Sequence, residues 1–230
     1  MRKYRLTSVL AFGYAIAAWG QQSATPQTKP ADSGPTLPAT MQFIQEKLNE
    51  RGRIAGEETI SSTSGVITYR VLVQLSDVMA DPAACTLYTT ETVDRTVEVP
   101  KGKVLKPGAS LENLHTITTE TDTISFKQIE KITVEKLQDM QNQTYAEAAH
   151  PEIAVMVTPP VFYVKIWASN AVFSIHNSTV KGSQTPVEND TTSKTNGFTF
   201  RDEESANHLA KAMIHAMELC GGGVTKKELF

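Results

Sequence analysis

The sequence predicts an α+β protein in which seven antiparallel strands form a bent sheet or partial barrel, capped by a C-terminal amphipathic helix, with an extra helix on the N-terminal side. Long segments between residues 65 and 136 alternate apolar and polar side chains, which is typical of strands with one buried face. Residues 203–220 instead repeat apolar side chains at helical spacing. A narrower stripe of the same spacing precedes the strands.

The first twenty residues have the organisation of a secretory signal peptide. Three basic residues in the first five are followed by an apolar core at 6–19, which is too short to span a bilayer comfortably. Ala18 and Gly20 are the small residues that a signal peptidase requires, and they place the cleavage site between Gly20 and Gln21. We therefore predict a periplasmic or extracellular protein, with an uncleaved membrane anchor as the alternative.

Composition divides the rest of the chain into a linker, a helix, a main domain and a tail. Residues 21–37 are dominated by Pro, Ser, Thr and Gln, which predicts a flexible linker. Residues 38–52 predict a helix whose apolar stripe either docks on the main domain or binds a partner. The main domain is expected at 60–222, followed by a loose tail at 223–230.

The alternating pattern also gives the positions of the strands. The seven strand-like segments are 65–75, 85–99, 113–126, 129–136, 161–168, 171–177 and 197–200. Because only two residues, Ser169 and Asn170, lie between 161–168 and the apolar part of 171–177, these two segments predict a hairpin.

The segments between the strands are more polar. Residues 76–84 have the composition of a turn, and 101–110 have that of a loop with Gly and Pro. Residues 137–150 predict a partly helical excursion from the sheet, and 151–160 are extended up to Pro159-Pro160. Residues 178–196 are polar and predict a mobile loop.

The C-terminal helix has the clearest local signal. Asp202 is a good N-cap, and Glu203 and Glu204 lie in the first turn, where the helix dipole favours negative charge. Gly221 is placed to end the helix. One face is apolar and consists of Ala206, Leu209, Ala210, Met213, Met217 and Cys220.

Two stretches resemble the pleckstrin-homology-like fold, DTISFKQIEKITV and GFTFRDEESANHLAKAMIHAM. The second is a last strand that runs directly into a capping helix, and the resemblance covers about residues 60–222. It implies a seven-stranded partial barrel. The segments FIQEKLN, ADPAAC and FTFRDEESANHLAKAMIHAMELCGG also resemble a family of uncharacterised exported bacterial proteins, which implies no particular activity.

The chain differs from lipid-binding pleckstrin-homology domains in its first inter-strand loop. Such domains gather Lys and Arg there, whereas SDVMADPAA carries two Asp and no basic residue. The resemblance therefore does not imply binding to phosphoinositide headgroups. Function in such a fold depends on the residues placed on it.

The charge of the chain argues against nucleic-acid binding. Its formal net charge is −3, and removal of the signal peptide makes it more negative because that segment carries only basic charges. A nucleic-acid-binding protein needs a cluster of basic residues to neutralise phosphates, and the sequence contains none. We therefore expect no nucleic-acid partner and no stable membrane insertion after cleavage.

No catalytic, metal-binding or cofactor-binding motif is present, so no cofactor is predicted. The sequence lacks HExxH, CxxC, GxSxG and a P-loop. The carboxylate pair Glu57-Glu58 falls in a linker, and Glu203-Glu204 fits the start of a helix. A Ser-His-Asp triad assembled from distant positions stays open.

The histidines are expected to be solvated. His208 and His215 lie on one side of the C-terminal helix but about 10.5 Å apart along its axis, too far to share a metal ion. Both lie opposite the apolar face. A metal site that His115, His150 and His176 form from separate segments is the alternative.

Aromatic residues and sequons give further candidates. Phe162, Tyr163 and Trp167 crowd one strand and predict core residues with one surface neighbour, or else a ligand- or peptide-binding face. Sequons for N-glycosylation begin at Asn142, Asn177 and Asn189.

Cys85 and Cys220 are the two cysteines of the chain, and we predict that they form a disulfide. An exported protein meets an oxidising environment, and two cysteines have one way to pair internally. Cys85 opens a strand and Cys220 ends the helix on its apolar face. The alternative is two separate buried thiols.

These observations together predict an exported, non-enzymatic binding module. Its partner is expected to be another protein or an apolar ligand at the open end of the barrel. Two alternatives stay open: a small exported enzyme with a dispersed active site, and a structural component of the cell envelope.

Overall fold

The computed structural model describes residues 34–98, 115–168, 170, 173–182 and 184–223. Its helices are α1 (Leu37–Glu50), α2 (Leu137–Glu147) and α3 (Glu203–Leu219), with a short 3-10 turn at Phe126–Gln128. Its strands are β1 (Arg53–Ser62), β2 (Gly65–Asp81), β3 (Thr86–Glu98), β4 (His115–Ser125), β5 (Lys131–Lys136), β6 (Ala154–Thr158), β7 (Phe162–Trp167), β8 (Phe173–Lys181), β9 (Val187–Ser193) and β10 (Thr195–Phe200).

The strands form two antiparallel sheets, neither of them closed into a barrel. The large sheet has seven strands in the order β6-β1-β2-β3-β4-β8-β9, and the small sheet has three in the order β10-β7-β5. The α+β class is confirmed, as are the N-terminal and C-terminal helices. The part of the chain that the structure describes contains ten strands instead of the seven segments expected, because some strands carry little apolar alternation.

The segment expected to be a linker around Glu57 and Glu58 is instead strand β1, so that prediction is wrong. β1 pairs along its whole length with β2, from Arg53 opposite Gln74 to Ser62 opposite Gly65, and its other edge pairs with β6. The continuous ladder with β2 and the shorter ladder with β6, at 57–61, hold β1 in the sheet despite its weak β-propensity, because strand formation depends strongly on tertiary pairing.

The turn expected at residues 76–84 is much shorter in the structure. β2 continues through this segment to Asp81, with a β-bulge between Ser76 and Met79. Asp77 adopts a positive φ of 50° at the bulge. The polar residues Ser76 and Asp77 therefore mark a local bend within a strand. Only the short segment 82–85, between β2 and β3, reverses the direction of the chain.

The hairpin expected around Ser169 and Asn170 is also wrong. β7 pairs with β5 and β10 in the small sheet, whereas β8 pairs with β4 and β9 in the large sheet. Val164 and Phe173, one from each strand, are both fully buried in the same core. The apolar side chains of β7 and β8 are thus buried in one core that the two sheets share. The two strands follow each other in sequence but do not pair.

The polar segment expected to be a mobile loop at 178–196 is largely strand. β8 extends to Lys181, β9 (Val187–Ser193) forms the edge of the large sheet, and β10 begins at Thr195. Almost all of β9 is exposed, so its sequence shows no apolar alternation. Charged, polar edge strands are common because they discourage association with other chains.

The main core lies between the two terminal helices and the sheets. α3 contacts α1 and all three strands of the small sheet. Its N-cap is Asp202, whose side chain accepts a hydrogen bond from the Ser205 backbone N–H, as expected. Its buried residues are Ala206, Leu209, Ala210, Met213, Ala216 and Met217.

The N-terminal helix docks on this core, which was one of its two expected roles. Met41, Ile44 and Leu48 are at most 1 % exposed and belong to the same apolar cluster as α3. α1 begins one residue before the expected start and ends two residues before the expected end.

Several predictions fall outside the described residues. These are the signal peptide with its Gly20–Gln21 cleavage site, most of the linker, the loop at 101–110 and nearly all of the tail. None of the helices within the described residues is both long and apolar enough to span a membrane.

Candidate functional site

A cleft of about 670 Å³ lies between α2 and one face of the large sheet. Glu58, Tyr69 and Val97 are cross-strand partners on β1, β2 and β3, so their side chains share that face. Ile60, two residues along β1 from Glu58, lies on the same face and also lines the cleft. The floor at the β1–β2 end of the cleft is therefore mostly apolar and aromatic.

The other end of the cleft is cationic. Arg95 on β3, Thr116 on β4 and Lys181 on β8 are successive cross-strand partners and line the cleft. With one strand between them, the backbones of Arg95 and Lys181 are about 10 Å apart. Lys181 is exposed and forms no salt bridge with the described residues. Both cationic side chains therefore line the same end of the cleft.

Helix α2 forms the roof of the cleft through Met140, Gln141, Thr144 and Tyr145. None of its residues is fully buried, in agreement with the weak apolar stripe in its sequence. Leu137 and Tyr145 pack partly against a small apolar cluster of the sheet that includes Val155 and Val157 of β6. The apolar contacts of this helix are few, so polar contacts must contribute to its position.

Two amide side chains of α2 bind the free edge of strand β6. Asn142 donates from Nδ2 to the Val155 carbonyl at 3.1 Å and accepts from the Val155 N–H at 2.6 Å. Gln138 accepts from the Val157 N–H at 3.2 Å. Gln138 and Asn142 are four residues apart on the helix, a rise of about 6.0 Å, and Val155 and Val157 are two residues apart on the strand, a rise of about 6.7 Å. The two distances are similar, so both amides can bind the strand at once. The helix thereby replaces a neighbouring strand.

Glu58 connects the roof of the cleft to its cationic end. It is 8 % exposed, and its Oε1 accepts a hydrogen bond of 3.1 Å from Gln141 Nε2. Its Oε2 lies 3.4 Å from the Arg95 guanidinium. Among the residues that line the cleft, Glu58, Arg95 and Lys181 carry the charges, which leaves one net positive charge.

A smaller cavity of about 150 Å³ adjoins the cleft. It shares Glu58, Arg95 and Gln141 with the cleft. Its other walls are mostly valines and other aliphatic residues, together with Glu57, Glu91 and Thr199. The region beneath α2 is therefore apolar on both sides of the Gln141–Glu58–Arg95 contacts.

Three carboxylates lie further along the same face of the sheet. Glu91 and Glu120 are cross-strand partners, and Asp122 follows Glu120 by two residues. Glu91 forms a salt bridge of 2.9 Å with Arg51, whose side chain is only 1 % exposed. Burial raises the pKa of Glu91 despite this partner, and burial also raises the pKa of Glu120.

Asp122 is the most strongly affected of the three. Burial, together with the negative charge of Glu120, raises its pKa to about 7. Its Oδ1 and the hydroxyl of its cross-strand partner Thr89 are buried and form no hydrogen bond within the described residues. Tyr163 is half-buried near this group, and its pKa is raised by loss of solvent and by the carboxylate charges. Neither Glu120 nor Asp122 lines the cleft.

The structure joins Cys85 and Cys220 in a disulfide with the Cα atoms 6.0 Å apart. Cys85 directly precedes β3, and Cys220 is the C-cap of α3. The bond therefore fixes the end of the C-terminal helix to the large sheet, away from the cleft.

The histidines lie at separate places in the structure. His208 is exposed, as expected, whereas His215, which was also expected to be solvated, is half-buried. The Nε2 atom of His215 contacts the Pro35 carbonyl oxygen at 2.9 Å. Each of the other three histidines contacts one carboxylate: His115 contacts Asp94, His150 contacts Glu152, and His176 contacts Asp190. No group of three or more His, Cys, Asp or Glu within the described ranges is arranged to hold a metal ion.

The aromatic residues of β7 do not form one continuous face. Phe162 packs against the main core, whereas Tyr163 points to the opposite side, toward the carboxylates. Trp167 lies beneath the Lys165 ammonium, 4.1 Å from its ring centroid. None of these aromatic side chains lines the cleft. Of the sequons, Asn142 is engaged with β6, Asn177 is half-buried and Asn189 is exposed.

The residues of the cleft were not identified from the sequence. Arg95 lies on the same face of its strand as Val93 and Val97, because the three residues are two apart in sequence. It is therefore a charged residue at a position where the alternating pattern predicts an apolar one. That exception was the available signal. Lys181 gave none, because it lies in a segment expected to be a loop.

No family model, curated protein or solved structure matches this chain. The resemblances to the pleckstrin-homology-like fold and to a family of exported bacterial proteins therefore stay predictions. Function is therefore inferred from the residues of the cleft.

Proposed function

We propose that this protein is an exported, non-enzymatic binding module whose ligand is a small amphipathic molecule held in the cleft beneath α2. The observation that carries the proposal is the polarity of the cleft, which is aromatic and aliphatic at β1–β2 and cationic at Arg95 and Lys181. Its volume of about 670 Å³ falls within the range of small-molecule sites. Concave, largely apolar sites with a few polar groups are typical of ligand binding.

The disulfide supports an exported location. Disulfides persist in oxidising compartments and are rare in the reducing cytosol. The Cys85–Cys220 bond crosslinks two elements that are far apart in sequence. Export, with cleavage after Gly20, is therefore part of the proposal.

The cleft supports binding better than it supports catalysis. An enzyme needs a titratable group within hydrogen-bond reach of its substrate. Glu58 is the carboxylate that lines the cleft, and its two oxygens already contact Gln141 and Arg95. Asp122 has the pKa expected of a general acid or base, but it is 4 % exposed and does not line the cleft. Among the described residues, no surface specifically indicates a structural role in the cell envelope.

The proposal is tested by binding of Nile red, a neutral dye whose fluorescence increases in apolar surroundings. Thr144→Trp places an indole in the cleft from an exposed position of α2, whereas Gln143→Trp adds the same group at an exposed position outside the cleft. We expect saturable 1:1 binding to the mature wild type and to Gln143→Trp, and at least about tenfold weaker binding to Thr144→Trp. Equal affinity in both variants, or no saturable binding, would contradict the proposed site.

A further inference from the structure

We infer that the ligand is a monomeric anionic amphiphile, with a carboxylate-type head between Arg95 and Lys181 and a linear apolar tail of about eight carbons beneath α2. This inference rests on the proposed function and specifies the chemical class of its ligand. It is carried by three features of the cleft: its net charge, the distance between its two ends, and the position of Glu58.

The charge of the cleft selects an anion. The whole chain is acidic, with a formal net charge of −3, yet the charged residues that line the cleft sum to one positive charge. The Arg95 guanidinium presents a fork of N–H donors that matches a carboxylate, and the Lys181 ammonium adds a second donor group. Thr116 lies between them on β4 and supplies a hydroxyl.

The dimensions of the cleft set the length of the tail. Ile60 on β1 and Arg95 on β3 are two strand spacings apart across the sheet and four residues out of register along it, so their backbones are about 16 Å apart. The Arg95 side chain extends to Glu58 of β1, which shortens the distance that remains for the tail. Between them the cleft is lined by Tyr69, Val97 and Met140, so beyond the Glu58 carboxylate beside Arg95 the tail contacts largely apolar side chains. A head bound by Arg95 therefore leaves room for an extended tail of medium length.

Glu58 limits the affinity of the head. Its carboxylate already contacts Arg95, and it repels a second carboxylate brought to the same guanidinium. A neutral amide at this position can still accept the hydrogen bond from Gln141. Replacement of Glu58 by Gln should therefore strengthen anion binding, a gain that a misfolded variant cannot imitate.

The test uses isothermal titration of the mature, disulfide-bonded protein with octanoate, octanol, octylamine and butanoate. We expect octanoate to bind about fivefold or more tightly than octanol, and octylamine to bind more weakly than either. Butanoate should bind at least about tenfold more weakly than octanoate, because each methylene removed costs about a fourfold factor. Vesicles of anionic phospholipid should not bind the protein.

Two variants connect these preferences to the charged residues. Lys181→Met should weaken octanoate binding about fivefold and leave octanol binding unchanged, whereas Glu58→Gln should strengthen octanoate binding about threefold. Binding of octanol or octylamine at least as tight as octanoate, or binding to anionic vesicles alone, would overturn the inference. So would unchanged octanoate affinity in both variants.

The Thr144→Trp variant separates the two proposals. If Thr144→Trp still blocks Nile red while the charge variants have no effect, the cleft binds ligands but the anionic class is wrong. If Thr144→Trp leaves both Nile red and octanoate binding intact, the cleft is not the site and both proposals fail.

Discussion

At the scale of single residues, the strongest expected pH dependence of stability comes from burial of Glu91, Glu120 and Asp122. These carboxylates lie on the face of the large sheet that also bears the cleft. Glu91 is compensated by Arg51 at 2.9 Å, but Asp122 has no cationic partner among the described residues. A carboxyl group that is buried in this way favours its protonated form. The folded protein therefore holds a proton on Asp122 at pH values where the unfolded chain has lost it.

This difference predicts that stability falls as pH rises from about 4 to about 7. The pKa of Asp122 is raised to about 7 in the folded protein, and it is about 3.9 in an unfolded chain. Between these values the folded state binds more protons than the unfolded state, so the slope of stability against pH is negative. Above pH 7 the penalty is complete, and below pH 4 it is absent.

Asp122→Asn should remove much of this dependence. Between pH 5 and pH 8, the wild type should lose on the order of 2 kcal/mol more unfolding free energy than the variant does. Urea denaturation at both pH values measures the difference, with the exposed Asp139→Asn as control. Parallel profiles for the wild type and Asp122→Asn would show that this carboxyl group titrates normally in the folded protein.

At the scale of elements, α3 is the segment whose buried face was predicted best. Met213 is 0 % exposed at the centre of that face, whereas His208 is exposed on the opposite side. Met213→Asp buries an unpaired charge and should cost on the order of 3 kcal/mol or more, whereas His208→Ala should cost less than about 0.5 kcal/mol. Chemical denaturation of both variants checks this. Equal costs would mean that the wrong face is buried.

Helix α2 depends on hydrogen bonds to β6 instead of a buried apolar face. Asn142→Ala removes both hydrogen bonds to Val155 and leaves its backbone N–H and C=O without these partners, so we expect a loss of about 1–2 kcal/mol. Gln143→Ala, which removes only an exposed contact with Glu147, should change stability by less than about 0.5 kcal/mol. Thermal or urea unfolding that shows equal losses would contradict a structural role for the Asn142 amide.

Local periodicity identified α3 and most strands, because a strong apolar repeat survives tertiary folding. It gave the wrong partner for β7, since periodicity indicates which face is buried but not which strand lies beside it. It missed β1 and β9 because the first has a weak apolar pattern and the second is an exposed polar edge. The cleft was not predictable, because Glu58, Arg95 and Lys181 meet only through the pairing of strands far apart in sequence.

At the scale of the whole molecule, the disulfide connects the end of α3 to the large sheet. Cys85 and Cys220 are separated by 135 residues in sequence, and the chain-entropy model gives about 5 kcal/mol as an upper figure for a loop of that size. A double Cys85→Ala and Cys220→Ala variant should therefore unfold at markedly lower urea concentration. Thiol counting on the exported wild type, unfolded without reductant, should find no free thiol, and two per chain would contradict the bond.

The most direct test of the central claim, that the cleft beneath α2 is the binding site, is methionine methyl NMR during titration with octanoate. Met140 lines the cleft, whereas Met79 and Met156 are 56 % and 54 % exposed at positions outside it. We predict that the Met140 methyl resonance shifts saturably while those of Met79 and Met156 stay in place. Octanoate binding that leaves Met140 unmoved, or that shifts the three resonances equally, would contradict the account.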